Sequence, residues 1–143
     1  MNPEVDQILL LSASQLMGTI APLLPEGYPQ GQASLLSFMM VLGAQEFGRA
    51  ADIRAKENAG MRALFGESAP GVNDAGLRRR LEAAVSTRDD DLTIAGLNAA
   101  NAELRRLLIE LQIHAEAHGN RDAETSIWEV LKRSAEARLV KLA

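Results

Sequence analysis

His114 and His118 are the two histidines of this 143-residue chain. Four residues apart, they fall on one face of a helix, and Glu110 lies four residues before His114 on the same face. The column Glu110-His114-His118 offers nitrogen and oxygen ligands of the kind that hold zinc or iron. The plainer alternative is a pair of polar residues where a helical seam meets solvent at a C-terminus, an end that suits an imidazolium. Two ligands on one helix arise easily by chance, so the plainer alternative is preferred and no cofactor is expected. Glu116 stands two residues from each histidine and on the opposite face, so the metalloprotease order His-Glu-x-x-His is missing. Neither histidine has a glutamate three residues before it, which removes the di-iron signature of ferritin-like bundles.

Glu46 continues the apolar face Leu35, Met39, Leu42. A carboxylate there could act as a base with a raised pKa. An ion pair with Arg49, Arg105 or Arg106, or simple exposure, is the preferred alternative. Arg78, Arg79 and Arg80, continued by Arg88, could grip a phosphate or carboxylate. Asp74, Glu82 and Asp89–Asp91 surround them, and no aromatic side chain lies between them to stack on a base, so a solvated face is preferred. Glycine-rich phosphate loops and Ser–His–Asp arrangements are absent. No catalytic residue is assigned, and the expectation is a protein that is not an enzyme.

The elements that carry these residues are helical. The chain has no cysteine, so disulfides and thiolate chemistry are excluded. Aromatics make up 3% of it, which leaves a core of Leu, Ile, Val, Met and Ala, a palette that favours helices. Asn2-Pro3-Glu4 reads as a helix start. Val5, Ile8, Leu9, Leu16, Ile20 and Leu23 follow helical spacing, and Pro22 ends or kinks this first helix. Pro25–Gly31, with two prolines and two glycines, reads as a loop. A second helix is expected from Gln32 to Phe65 with Gly66 as its stop. A short third helix, Asp74–Thr87, follows a cap at Asn73 and a Val72–Leu77 staple. The fourth runs from Asp91 to His118 on a seam of Leu97, Ala100, Leu104, Leu107, Leu111, His114 and His118, with Gly119 as its stop. The fifth starts at Asp122 with a stripe of Ile127 or Trp128, Leu131, Ala135, Leu139 and Leu142, and with Glu129 paired to Arg133. Small residues at Ala44, Gly48, Ala51 and Ala55, and at Ala95, Ala99 and Ala102, are expected to line helix contacts.

The predicted fold is all-α: an antiparallel up-and-down bundle of four long helices plus one short helix, in one domain over residues 1–143. Fifteen basic and nineteen acidic residues give a net charge of −4, which argues against nucleic acid as a partner. The basic residues all lie at or beyond Arg49, and between Gln7 and Gln45 the only charge is Glu26. Such a stretch must cover its surface against something. A membrane span is disfavoured by Ser12, Ser14, Gln15, Thr19 and Pro22, and the acidic flank Glu4 and Asp6 does not suit a secretion signal, so a cytoplasmic protein is expected. The preferred occupant is a second copy. Leu9, Leu16, Ile20, Leu35, Met39 and Leu42 are the predicted homodimer interface, since interface cores are poor in charge and twofold dimers are common. The alternative is a bundle that binds a small ligand or metal, with Met17, Met39 and Met40 lining an apolar cavity.

Overall fold

The structure, a computed structural model, describes residues 4–139, and every regular element among them is helical. In chain order these are α1 (Val5–Gln15), α2 (Tyr28–Ser68), α3 (Ala75–Val85), α4 (Ile94–Ala117) and α5 (Arg121–Arg138). The expected all-α architecture is therefore present. Contacts divide the chain into two compact units, one ending at Ala50 and the other spanning Ala51–Leu139, and α2 supplies residues to both.

In the first unit α1 continues through a π turn, Leu16–Ile20, and a 3-10 turn, Ala21–Leu23. Pro22 explains the change. It lacks the N–H that would bond to the carbonyl of Gly18, and its ring crowds that carbonyl in α geometry. The Ala21 amide instead reaches Leu16, five residues back. The chain reverses at Gly27, whose φ of 103° belongs to the left-handed region. The expected loop to Gly31 is shorter than predicted. α2 begins at Tyr28, and Pro29 falls in the first turn, where a missing N–H costs nothing. α2 and α1 run antiparallel: the Gly43 backbone lies beside Leu9 and the Gln30 side chain donates to the Ala21 carbonyl. Asn2 and Pro3 lie outside the described residues.

The second unit is an up-down-up-down bundle. The later part of α2 and α3 are antiparallel, with Arg62 reaching Thr87 and Gly66 facing Val85. α3 and α4 are antiparallel through Arg80 and Glu110, and α5 returns so that Arg138 meets Glu57 of α2. Phe65, Leu81, Leu97, Leu111 and Ile127 are fully buried, and Met61, Leu64, Leu77, Leu104, Leu108 and Val130 complete the core.

Several boundaries differ from expectation for local reasons. Gly66 lies inside α2, which runs on to Ser68 before a 3-10 turn at Ala69–Gly71. Asp74, not Asn73, caps α3, accepting from the Leu77 amide at 2.8 Å. α4 starts at Ile94 with Thr93 as its cap, because Asp91 turns back to the Thr93 amide and Asp89 turns toward α2. Gly119 does stop α4. With φ 62° it sets up the paired bonds Asn120 N–H to Ala115 carbonyl and Gly119 N–H to Glu116 carbonyl. Asn120 then caps α5.

The seam of α4 is Leu97, Asn101, Leu104, Leu108, Leu111 and Ala115, rotated from the predicted one. On α5 Ile127 and Val130 are buried, whereas Trp128 and Leu139 are about two-thirds exposed, and Leu142 lies outside the described residues. Of the small residues expected at helix contacts, Ala44 is buried, but Gly48, Ala51, Ala95, Ala99 and Ala102 face solvent. Lys132 pairs with Glu136, and among the described residues no Glu129–Arg133 bridge forms. Replacing Leu81 with Ala should cost about 3 kcal/mol through cavity formation. Trp128→Ala should cost under about 1 kcal/mol. Urea unfolding of both variants checks this, and the reverse order would contradict the packing described.

Candidate functional site

The chemistry-bearing residues that the fold brings together lie in the second unit and centre on Glu57. Its neighbours on the same helical face are Ile53 and Met61, both buried, so the carboxylate enters the core with them. The Glu57 side chain is 2% exposed. Arg138 closes on it with two bonds, Nε to Oε1 at 2.6 Å and Nη2 to Oε2 at 2.7 Å. Asn101 donates to Oε2 at 3.2 Å and Arg105 stands 3.7 Å from it. Burial pushes this carboxyl up, but the hydrogen bonds and charge of Arg138, with Arg105 and Asn101, outweigh it and hold the pKa below the ordinary glutamate value. A base needs a carboxylate free to take a proton near neutral pH, so this group is a structural anchor.

Asn58 extends the network. It is completely buried. Its amide nitrogen donates to both Asp89 oxygens at 3.2 Å and to the Leu97 carbonyl at 3.3 Å, and its oxygen accepts from Asn101 at 2.9 Å. Asn101 in turn accepts from Arg105 at 2.8 Å. Asp89 is held by Arg62 at 2.7 Å, and that bond lowers its pKa despite partial burial. The result is one polar ladder from Arg62 through Asp89, Asn58, Asn101 and Glu57 to Arg138. It ties α2 to the α3–α4 connection, to α4 and to α5. The sequence reading passed over Glu57, Asn58 and Asn101. The available signal was their spacing, since Glu57 sits between Ile53 and Met61, and Asn101 between Leu97 and Leu104.

The sequence-selected residues are placed differently. Glu46 is exposed. The rings of His114 and His118 lie 4.1 Å apart, and the His118 ring nitrogen Nδ1 is 2.8 Å from the His114 carbonyl. A carbonyl only accepts, so Nδ1 carries the proton and His118 helps close the end of α4. Glu110 is instead engaged by Arg80 of α3. The column Glu110, His114, His118 is thus not gathered into a metal-holding group, and no set of three such ligands is found among the described residues.

The residues expected at an interface belong to the first unit. Ile20, Leu35 and Met39 are about half exposed, and Leu9, Leu16 and Leu42 are partly covered. The buried positions of the α1–α2 hairpin include Ala13, Ala21, Ala33, Ser37 and Ala44, and the Ser37 hydroxyl is satisfied by the Ala33 carbonyl at 2.9 Å. Of the large side chains, Leu9 packs beside Gly43 and Leu16, Met40, Val41 and Leu42 are partly covered, but none of the large apolar residues of the hairpin is fully buried. Thirteen exposed large apolar residues lie between Val5 and Phe47, among them Leu11, Leu23, Tyr28, Leu36 and Phe38. A groove between α1 and α2 includes Met17, Phe38 and Val41 in its walls but neither Met39 nor Met40, so the expected methionine cavity does not take the predicted form. No helix among the described residues is long and apolar enough to cross a membrane.

Removing the Glu57 side chain strands two arginines and an asparagine. Glu57→Ala should cost about 2–3 kcal/mol and lower Tm by roughly 10 °C. Both Glu57 and Asp89 have lowered pKa values in the fold. Their contribution is therefore complete above the ordinary carboxylate range and is lost as pH falls through the folded values. Unfolding free energy measured from pH 7 to pH 3 should decline, and Glu57→Gln should flatten that decline. An unchanged slope would show that Glu57 is not the anchor. Comparison with protein-family models, curated proteins and solved structures returns no match.

Proposed function

We propose that this protein works by self-association through the α1–α2 hairpin, as a twofold homodimer in which the second copy covers the apolar exterior of the first. The observation that carries this reading is the inversion of side-chain size in the hairpin. The fully buried positions are alanine and serine, whereas thirteen large apolar residues are exposed and the remaining ones are only partly covered. Single exposed apolar residues are ordinary on a protein surface, but a contiguous series of them marks an interaction surface.

Charge selects the kind of occupant. From Ile8 to Ala44 the hairpin carries one formal charge, Glu26 at its turn, and no lysine or arginine. A charged partner finds no counter-charge there, and an anionic lipid surface finds no basic residue. An identical uncharged face meets neither obstacle. A twofold interface is also self-complementary by construction, which suits two copies of one amphipathic surface. Leu9, Leu16, Ile20, Leu35, Met39 and Leu42 contribute to this interface, with the exposed Leu11 and Leu36 added.

Light scattering after size exclusion should give twice the mass of one chain at micromolar concentration. Introducing Leu35→Glu together with Met39→Glu should raise the dissociation constant at least about 100-fold while circular dichroism stays helical, because each removes roughly 2 kcal/mol of apolar burial. A wild-type monomer across the micromolar range would overturn the proposal.

A further inference from the structure

Arg79, Arg80 and Arg88 are exposed, as a solvated face requires, and two of them also line a groove in the second unit. Arg80 and Arg88 stand on the wall of a groove of about 460 Å³ together with Arg62 and Arg106, and Leu104 and Leu107 supply its apolar side. This volume lies in the range of small-molecule sites. Three of the four guanidinium groups have carboxylate partners. Arg62 is held by Asp89, Arg80 by Glu110 and Arg106 by Glu103. The Arg88 side chain has no hydrogen bond or ion pair among the described residues. With Asp89 counted beside Glu103 and Glu110, the four guanidinium groups face three carboxylates, and the one uncompensated positive charge is that of Arg88.

We propose that this groove binds a small amphipathic anion, with a carboxylate or phosphate head on Arg88 and an apolar body against Leu104 and Leu107. The two halves of the lining call for the two halves of the ligand. A guanidinium presents parallel N–H groups that match an oxyanion in bidentate fashion. Arg88 is the one such group on the wall whose donors are uncommitted. Arg62, Arg80 and Arg106 are already neutralised by Asp89, Glu110 and Glu103, so the head group falls to Arg88. A fully hydrated anion would gain little from leucine walls, and a neutral hydrocarbon would leave Arg88 unpaired. The amphipathic anion satisfies both. The site is independent of the hairpin interface, and either can fail without the other.

Titration of the full-length protein with octanoate, octyl phosphate, inorganic phosphate and octanol tests the proposal, read by calorimetry and by methyl shifts of Leu104 and Leu107. Octanoate or octyl phosphate should bind at micromolar to low-millimolar concentration and shift those methyls. Inorganic phosphate and octanol should bind at least tenfold more weakly. Arg88→Gln, which removes no hydrogen bond or ion pair among the described residues, should weaken the anionic amphiphiles about tenfold or more and leave the thermal transition in place. Ala100→Leu, which narrows the groove, should do the same without touching the charge. Shifts confined to hairpin residues such as Phe38, binding unchanged by Arg88→Gln, equal binding of phosphate or octanol alone, or no binding would each overturn it.

Discussion

A carboxylate buried between Ile53 and Met61 is the constraint around which the second unit is arranged. Such a group is costly in an apolar core unless its oxygens are filled by donors of good geometry. Glu57 meets that condition only when α5 delivers Arg138 and α4 delivers Asn101 and Arg105. Three helices must therefore arrive in one register. Leucine packing alone tolerates sliding, because one buried methyl group resembles another. The bidentate contact with Arg138 does not. Asn58 and Asp89 add the α3–α4 connection to the same register, which explains why a segment without regular structure is held in place by α2.

The hairpin follows a different logic. Alanine and serine hold its fully buried positions, and its large apolar side chains are left partly covered, as Leu9 is beside Gly43, or exposed. Pro22 and Gly27 make the reversal possible, the first by ending the α geometry and the second by taking a left-handed φ. A helical pair packed through small side chains gains little hydrophobic stabilisation from its own interior. That physical shortage is the basis of the proposed association of two copies through this unit.

The arginine groove shows how tertiary pairing changes the meaning of a sequence motif. Arg78, Arg79 and Arg80 are consecutive, yet of these only Arg80 joins the groove, beside Arg88 from the following turn, Arg62 from α2 and Arg106 from α4. Local charge balance suggested a solvated face. The exposed Arg79, Arg80 and Arg88 agree with that, and spatial pairing further separates three neutralised guanidinium groups from one that is uncommitted.

Helix identity was legible in the residues themselves, because scarce aromatics, absent cysteine and apolar spacings of three and four leave helices as the consistent reading. The helix stop at Gly119 and the disruption at Pro22 were legible too, since both are backbone effects of single residue types. The lack of charge in the first third is likewise a property of the chain, whatever it packs against. Which side of each helix is buried was decided only in three dimensions. Asn101 displaced Ala100 from the α4 seam, and Ile127 was chosen over Trp128, because burial depends on neighbours that spacing does not name. The cap at Asp74 and the turn of Asp89 toward α2 depended on competition among adjacent side chains for the same amides and arginines. The Glu57–Arg138 pair, eighty-one residues apart in the chain, could arise only from the tertiary structure: a polar residue in an apolar stripe looks like an interruption until the distant group that satisfies it is brought alongside.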